Sequence, residues 1–103
     1  MNKIIDEIYK ELCTVPGKES ISFTLALKAD ALLSELDYYP SYIWNQNGSI
    51  VFEYNQPVNK KSLFIIVEQN IVSGKLCEHN HILEEYTYLT VDTVNTVLDR
   101  FWE

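Results

Sequence analysis

Apolar residues along this chain recur first with a helical period, then with a strand period, and then with a helical period again. Ile5, Ile8 and Leu12 form one stripe with Ile4 and Tyr9 beside it, while Asp6, Glu7, Lys10 and Glu11 take the opposite side. That spacing predicts an amphipathic helix over 3–13, closed by the breaker Val15-Pro16-Gly17. A second helix is predicted over 22–36, with Ser20 or Ser22 as its cap and Leu25, Ala29, Leu32, Leu33 and Leu36 as its buried face. Asp37 and Tyr38-Tyr39-Pro40 end it, because the residue before a proline is pushed out of the helical region.

From Pro40 the period drops to two. The runs 41–45 and 49–55 flank Gln46-Asn47-Gly48, and Asn-Gly between alternating apolar residues predicts a hairpin because both residues tolerate positive φ. A third strand is predicted over 63–68. Ile50, Phe52 and Tyr54 share one face, as do Leu63, Ile65 and Val67, so the two strands can share a core. A fourth strand over 71–78 is interrupted at Ser73-Gly74, and a fifth lies around 83–89, where Tyr86, Thr87 and Tyr88 favour extended structure. A last helix over 90–102 starts at the cap Thr90 and carries the stripe Val91, Val94, Leu98 and Phe101. The predicted class is α+β: two N-terminal helices, an antiparallel sheet of four to five strands, and a C-terminal helix packed on one face. At 103 residues this is a single domain with one core.

Charge narrows the function classes. The chain carries 15 acidic against 8 basic residues, a formal charge of −7, which argues against direct binding to a nucleic-acid backbone and leaves room for a protein partner with a basic surface. No apolar run approaches a membrane span and the N-terminus does not read as a signal peptide. Two distant cysteines do not make a secreted disulfide framework, so the expected setting is cytoplasmic.

One cluster has the composition of a metal site. Of the two cysteines and two histidines in the chain, three fall within Cys77-Glu78-His79-Asn80-His81. On one extended strand Cys77, His79 and His81 would point to the same face, a thiolate and two imidazoles suited to zinc. The fourth ligand would be Cys13, Glu84, Glu85, water or a residue of a second copy in a homodimer. Asn80 is also a turn former, and a hairpin there would break the alternation. The enzymatic reading is thin: there are 3 glycines, no phosphate-binding loop, and both histidines sit in this one corner.

A second cluster, Tyr38, Tyr39, Tyr42 and Trp44, has the composition of a partner-binding surface. Tyr42 and Trp44 share one face of the first strand and Ile43 takes the other. If Ile43 faces the core they are surface anchors; in the reverse register they are core, the usual place for a tryptophan. Tyr38 and Tyr39, at a helix-to-strand corner, are expected at the surface.

The stretch from the second helix onward resembles a family of small bacterial and phage-borne proteins in which an Ala/Leu-rich helix precedes a proline, a short strand, a Gly-Ser/Gly-Ile turn and an aromatic-ended strand. The residues that carry the likeness are Pro40, Gly48-Ser49-Ile50, Phe52-Glu53-Tyr54, and Leu63, Ile65 and Val67, with Tyr54 in place of the family's Trp and Asn47 in place of its Asp. The resemblance implies this fold and a mobile-element setting, without a catalytic residue. Size and acidity add the analogy of an anti-CRISPR-type inhibitor, a non-enzymatic protein that occludes a basic nucleic-acid-processing target. The alternatives are a metal-stapled assembly module and a small zinc or thiol enzyme.

Overall fold

A computed structural model of the chain describes residues 21–103; the helix predicted over 3–13 lies outside them. The order is α1 (Phe23–Ser34), β1 (Tyr42–Gln46), β2 (Ser49–Gln56), β3 (Lys61–Val67), β4 (Val72–Glu78), β5 (His81–Tyr86) and α2 (Val91–Phe101). The five strands form one antiparallel meander in the order β1-β2-β3-β4-β5.

The predicted punctuation sits where its chemistry requires. Ser22 Oγ accepts the Leu25 amide, capping α1. Thr90 and Thr93 cap α2 reciprocally, each side chain accepting the other's backbone amide. Asn47 and Gly48 join β1 to β2 with φ values of 51° and 90°, the left-handed pair that a two-residue hairpin needs. Asn45 Oδ1 supports the turn by accepting the Gly48 amide at 2.8 Å.

Strand register sorts the side chains into rows, because residues directly opposite each other share a face. Ile43, Phe52, Ile65, Gly74 and Tyr86 form one row; Tyr54, Leu63, Leu76 and Glu84 form the next on the same face. This face meets both helices in one core with Leu25, Ala26, Ala29, Leu32, Leu33, Val94, Leu98 and Phe101. Serine and glycine do not interrupt β4 as expected. A Cβ at Gly74 would lie 3.3 Å from Ile65 Cδ1 and from Leu89 Cδ1, so the strand passes through with the Leu89 side chain filling the space above the glycine. Leu89 also donates its amide to the Val72 carbonyl at 2.8 Å, and so leaves the expected fifth strand to become part of the connection to α2.

Two polar clamps fix the helices. Asn95 on α2 donates to the Glu35 carbonyl at the end of α1 and accepts the Asp37 amide, satisfying backbone groups that the end of α1 would leave open. Lys28 on α1 donates to the Glu68 and Gln69 carbonyls in the β3–β4 loop. Tyr54 is fully buried and donates its hydroxyl to the Tyr38 carbonyl at 2.9 Å.

Tyrosine burial makes a pH prediction. Burial pushes the Tyr54 hydroxyl well above its usual range, and burial, followed by the hydrogen bond to Glu84, pushes Tyr86 up to about 12. Both groups hold their protons more tightly folded than unfolded, so the unfolded chain binds fewer protons above pH 10 and stability falls there. Urea midpoints are expected to be unaffected by these groups below pH 10 and to decline as pH rises from 10 toward 12; phenolate absorbance should show these two tyrosines ionising with unfolding rather than before it.

Candidate functional site

The opposite face of the sheet carries the candidate site. Tyr42, Glu53, Phe64, Lys75 and Glu85 form one row across all five strands, and Trp44, Val51, Ile66 and Ser73 form the next. Ile43 packs toward the helices, so the register that keeps Tyr42 and Trp44 off the helix-covered core is the real one, and the expectation of a core Trp44 is corrected. Two apolar faces meeting on β2, where Ile50, Val51 and Phe52 are all buried, make either register plausible from sequence alone.

Val51 is buried, Trp44, Phe64 and Ile66 are half-buried, and Tyr42 is 63 % exposed. Trp44, Val51, Phe64, Ile66, Cys77 and Ile82 line much of an open depression of about 270 Å³. The depression is open to solvent and its lining is mainly apolar. The Trp44 Nε1–H is buried, with no hydrogen-bond acceptor among the described residues. Polar groups border the patch: Asn55 donates to Glu53 at 2.9 Å and accepts from Ser62 at 2.7 Å.

The tyrosines of the helix-to-strand corner divide. Tyr39 is 61 % exposed. Tyr38, expected at the surface with it, is half-buried on the helix side with its ring centroid 6.2 Å from that of Trp102. A hydrogen bond to Asp99 raises its hydroxyl pKa, with burial and the charges of Asp99 and Asp37 adding in the same direction. Tyr38 therefore does not join Tyr42 and Trp44 in one patch. Phe64, Ile66 and Ile82 complete the patch instead; their spacing is the same period-two signal as the core, and sequence alone does not say which of two apolar faces a strand turns outward.

The Cys77, His79 and His81 cluster is taken apart by a turn. His79 and Asn80 have φ values of 50° and 68° and form the two-residue connection between β4 and β5, the outcome that Asn80 made possible. Cys77 pairs with Ile82 and Glu78 with His81, which places Cys77 on the Trp44 face and His81 on the helix side. The expectation that all three residues point to one face is thus corrected. Among the described residues no group of three His, Cys, Asp or Glu side chains is placed to hold a metal ion; Cys13 lies outside those residues. Adding a chelator to the purified chain is expected to leave its melting temperature unchanged, and a drop of several degrees with stoichiometric zinc release would contradict this geometry.

Cys77 and His79 do line a common depression with Lys60, Ser62, Phe64 and Asn80. His79 Nε2 stands 3.9 Å from Glu78 Oε1, beyond hydrogen-bond range, so Glu78 does not fix the orientation of the imidazole. Glu78 also lies 4.0 Å from Lys61 Nζ. The turn amide of His79 donates to the Lys60 carbonyl at 3.1 Å, tying the β4–β5 turn to the β2–β3 loop.

No protein-family model, curated protein or solved structure matches the chain. No helix among the described residues is long and apolar enough to cross a membrane.

Proposed function

We propose that this chain is a non-enzymatic binding protein that docks on a basic protein surface through the face of its sheet opposite the two described helices. The observation that carries the reading is the pair of rows on that face. Tyr42, Trp44, Phe64 and Ile66 are large and at least partly accessible on a rigid sheet, beside an apolar depression and the carboxylates of Glu53 and Glu85. Aromatic anchors that lose little rotamer freedom, ringed by polar groups, are the usual composition of a binding hot spot. Lys75 stands between the two glutamates in register, so the charge on this face is mixed locally, and the overall charge of −7 supplies the bias toward a cationic partner.

The specific form of the proposal is an inhibitor from a phage or other mobile element. An acidic domain seated on the basic channel of a nucleic-acid-processing protein competes with the nucleic acid for the same cations. Calorimetric titration of the full chain against purified nucleic-acid-processing proteins of its host tests it. The expected result is a complex whose affinity falls steeply with added salt and with nucleic acid as competitor. A complex insensitive to both, or a catalytic turnover lost on Cys77→Ser, would overturn the reading.

A further inference from the structure

We infer that the outer edge of β5 takes up an extended, basic segment of the partner as a sixth strand. This rests on the basic-partner reading above and adds the mode of recognition. β5 ends the sheet, and among the described residues its backbone hydrogen bonds run to β4 alone. An edge strand of an antiparallel sheet turns alternate N–H and C=O groups away from its neighbour, a template for another strand. Every residue of β5 except Tyr86 is exposed, with Ile82 at 55 % and Leu83 at 50 %. The strand, His-Ile-Leu-Glu-Glu-Tyr, has no proline or lysine to blunt the edge; its one irregularity is the register shift opposite Leu76 and Cys77, which leaves Leu83 unpaired and Glu84–Tyr86 as the regular part of the edge.

The same strand selects the occupant. β1, the other edge, reads Tyr-Ile-Trp-Asn-Gln and carries no charge, whereas β5 offers two apolar residues followed by Glu84 and Glu85. Glu84 accepts the Tyr86 hydroxyl, which steadies its carboxylate on the helix side. Glu85 ends the row Tyr42–Glu53–Phe64–Lys75–Glu85. The next position in that row belongs to an added strand, and a cation there continues the alternation begun by Lys75 and Glu85. Ile82 belongs to the Trp44 depression, so an apolar residue opposite it extends the same patch.

A second copy of this chain fits poorly. Antiparallel self-pairing over 81–86 sets Ile82 against Glu85 and Leu83 against Glu84, and parallel pairing in register sets each glutamate against its own copy. Neither arrangement gives the carboxylates a cation. A strand reading Lys-Lys-Val-Val, run antiparallel to β5, sets its two lysines against Glu85 and Glu84 and its valines toward the apolar pair Leu83 and Ile82, where β5 is bulged.

The test is amide exchange on the isotope-labelled full chain with three blocked eight-residue peptides: one built around Lys-Lys-Val-Val, one with Glu-Glu in place of Lys-Lys, and one with the basic sequence scrambled. The basic ordered peptide is expected to slow exchange of amides in 81–86 by about tenfold or more and to leave 42–46 unchanged; the acidic and scrambled peptides should do neither. A Glu84→Lys, Glu85→Lys double variant, checked for an unchanged spectrum elsewhere, should weaken the basic peptide by at least about tenfold. The exchange measurement on the parent decides the matter even if that variant does not fold. Protection of β1 instead of β5, or equal binding of all three peptides, overturns the edge inference. If the reversed-charge variant still binds a basic protein through Trp44, the edge inference falls alone; if the parent binds neither basic peptide nor basic protein, both readings fall together.

Discussion

Phe52→Ala is expected to destabilise the domain by about 3–5 kcal/mol, while Phe64→Ala, on the neighbouring strand, costs only about 1 kcal/mol. The two phenylalanines lie on adjacent strands but on opposite faces. Phe52 is fully buried in the row Ile43–Phe52–Ile65 beneath both helices, so removing its ring leaves a cavity among side chains from the sheet and both helices that cannot all collapse into it. Phe64 is half-buried and lines open depressions on the other face, where solvent can replace the ring. Native domains of this size are stable by only about 5–15 kcal/mol, so the first substitution takes away much of the total and the second does not. Urea titrations at constant slope measure both. Equal losses would mean that the two faces are buried alike.

Truncating the aromatic anchors reverses that order. A Tyr42→Ala, Trp44→Ala chain should fold with a modest loss of stability yet bind its partner at least about 30-fold more weakly, the effect of losing roughly 2 kcal/mol or more at a hot spot. Tyr42 projects mostly into solvent, and Trp44 is half-buried on the face turned away from the helix-covered core. Calorimetric binding at two salt concentrations, alongside thermal melts of the same samples, separates lost recognition from lost folding.

The elements that announced themselves in the sequence did so through local rules. Ser22 and Thr90 cap helices because their hydroxyls have nearby backbone amides to bond, and Asn47-Gly48 turns because both residues accept positive φ. The errors arose where two local rules competed. Positive φ is uncommon for residues other than glycine, so alternation from Cys77 to His81 reads as one strand, although His79 and Asn80 both tolerate the turn they make. Gly74 resembles a break because glycine weakens strands, and the Leu89 side chain that fills its place comes from 15 residues further on, a contact no local pattern encodes.

The candidate site was legible in part for the same reason. The pairing of Tyr42 with Trp44 on one face follows from the period of a strand, but the choice of face depends on Ile43 meeting the helices. Tyr38 left the expected patch because Trp102 and Asp99, some sixty residues away, hold it on the helix side. Phe64, Ile66 and Ile82 entered it through the cross-strand register.

Site-specific photo-cross-linking tests the docking face most directly. A benzophenone amino acid is placed at Tyr42 in one chain and at Val58 in another; Val58 is 94 % exposed in the β2–β3 loop, away from the Trp44 patch. Each chain is irradiated with the purified basic partner. An adduct from position 42, suppressed by salt and by excess parent chain, with none from position 58, is the predicted result. Adducts from position 58 alone, or equal adducts from both, would contradict the assignment of the Tyr42–Trp44 face as the binding surface.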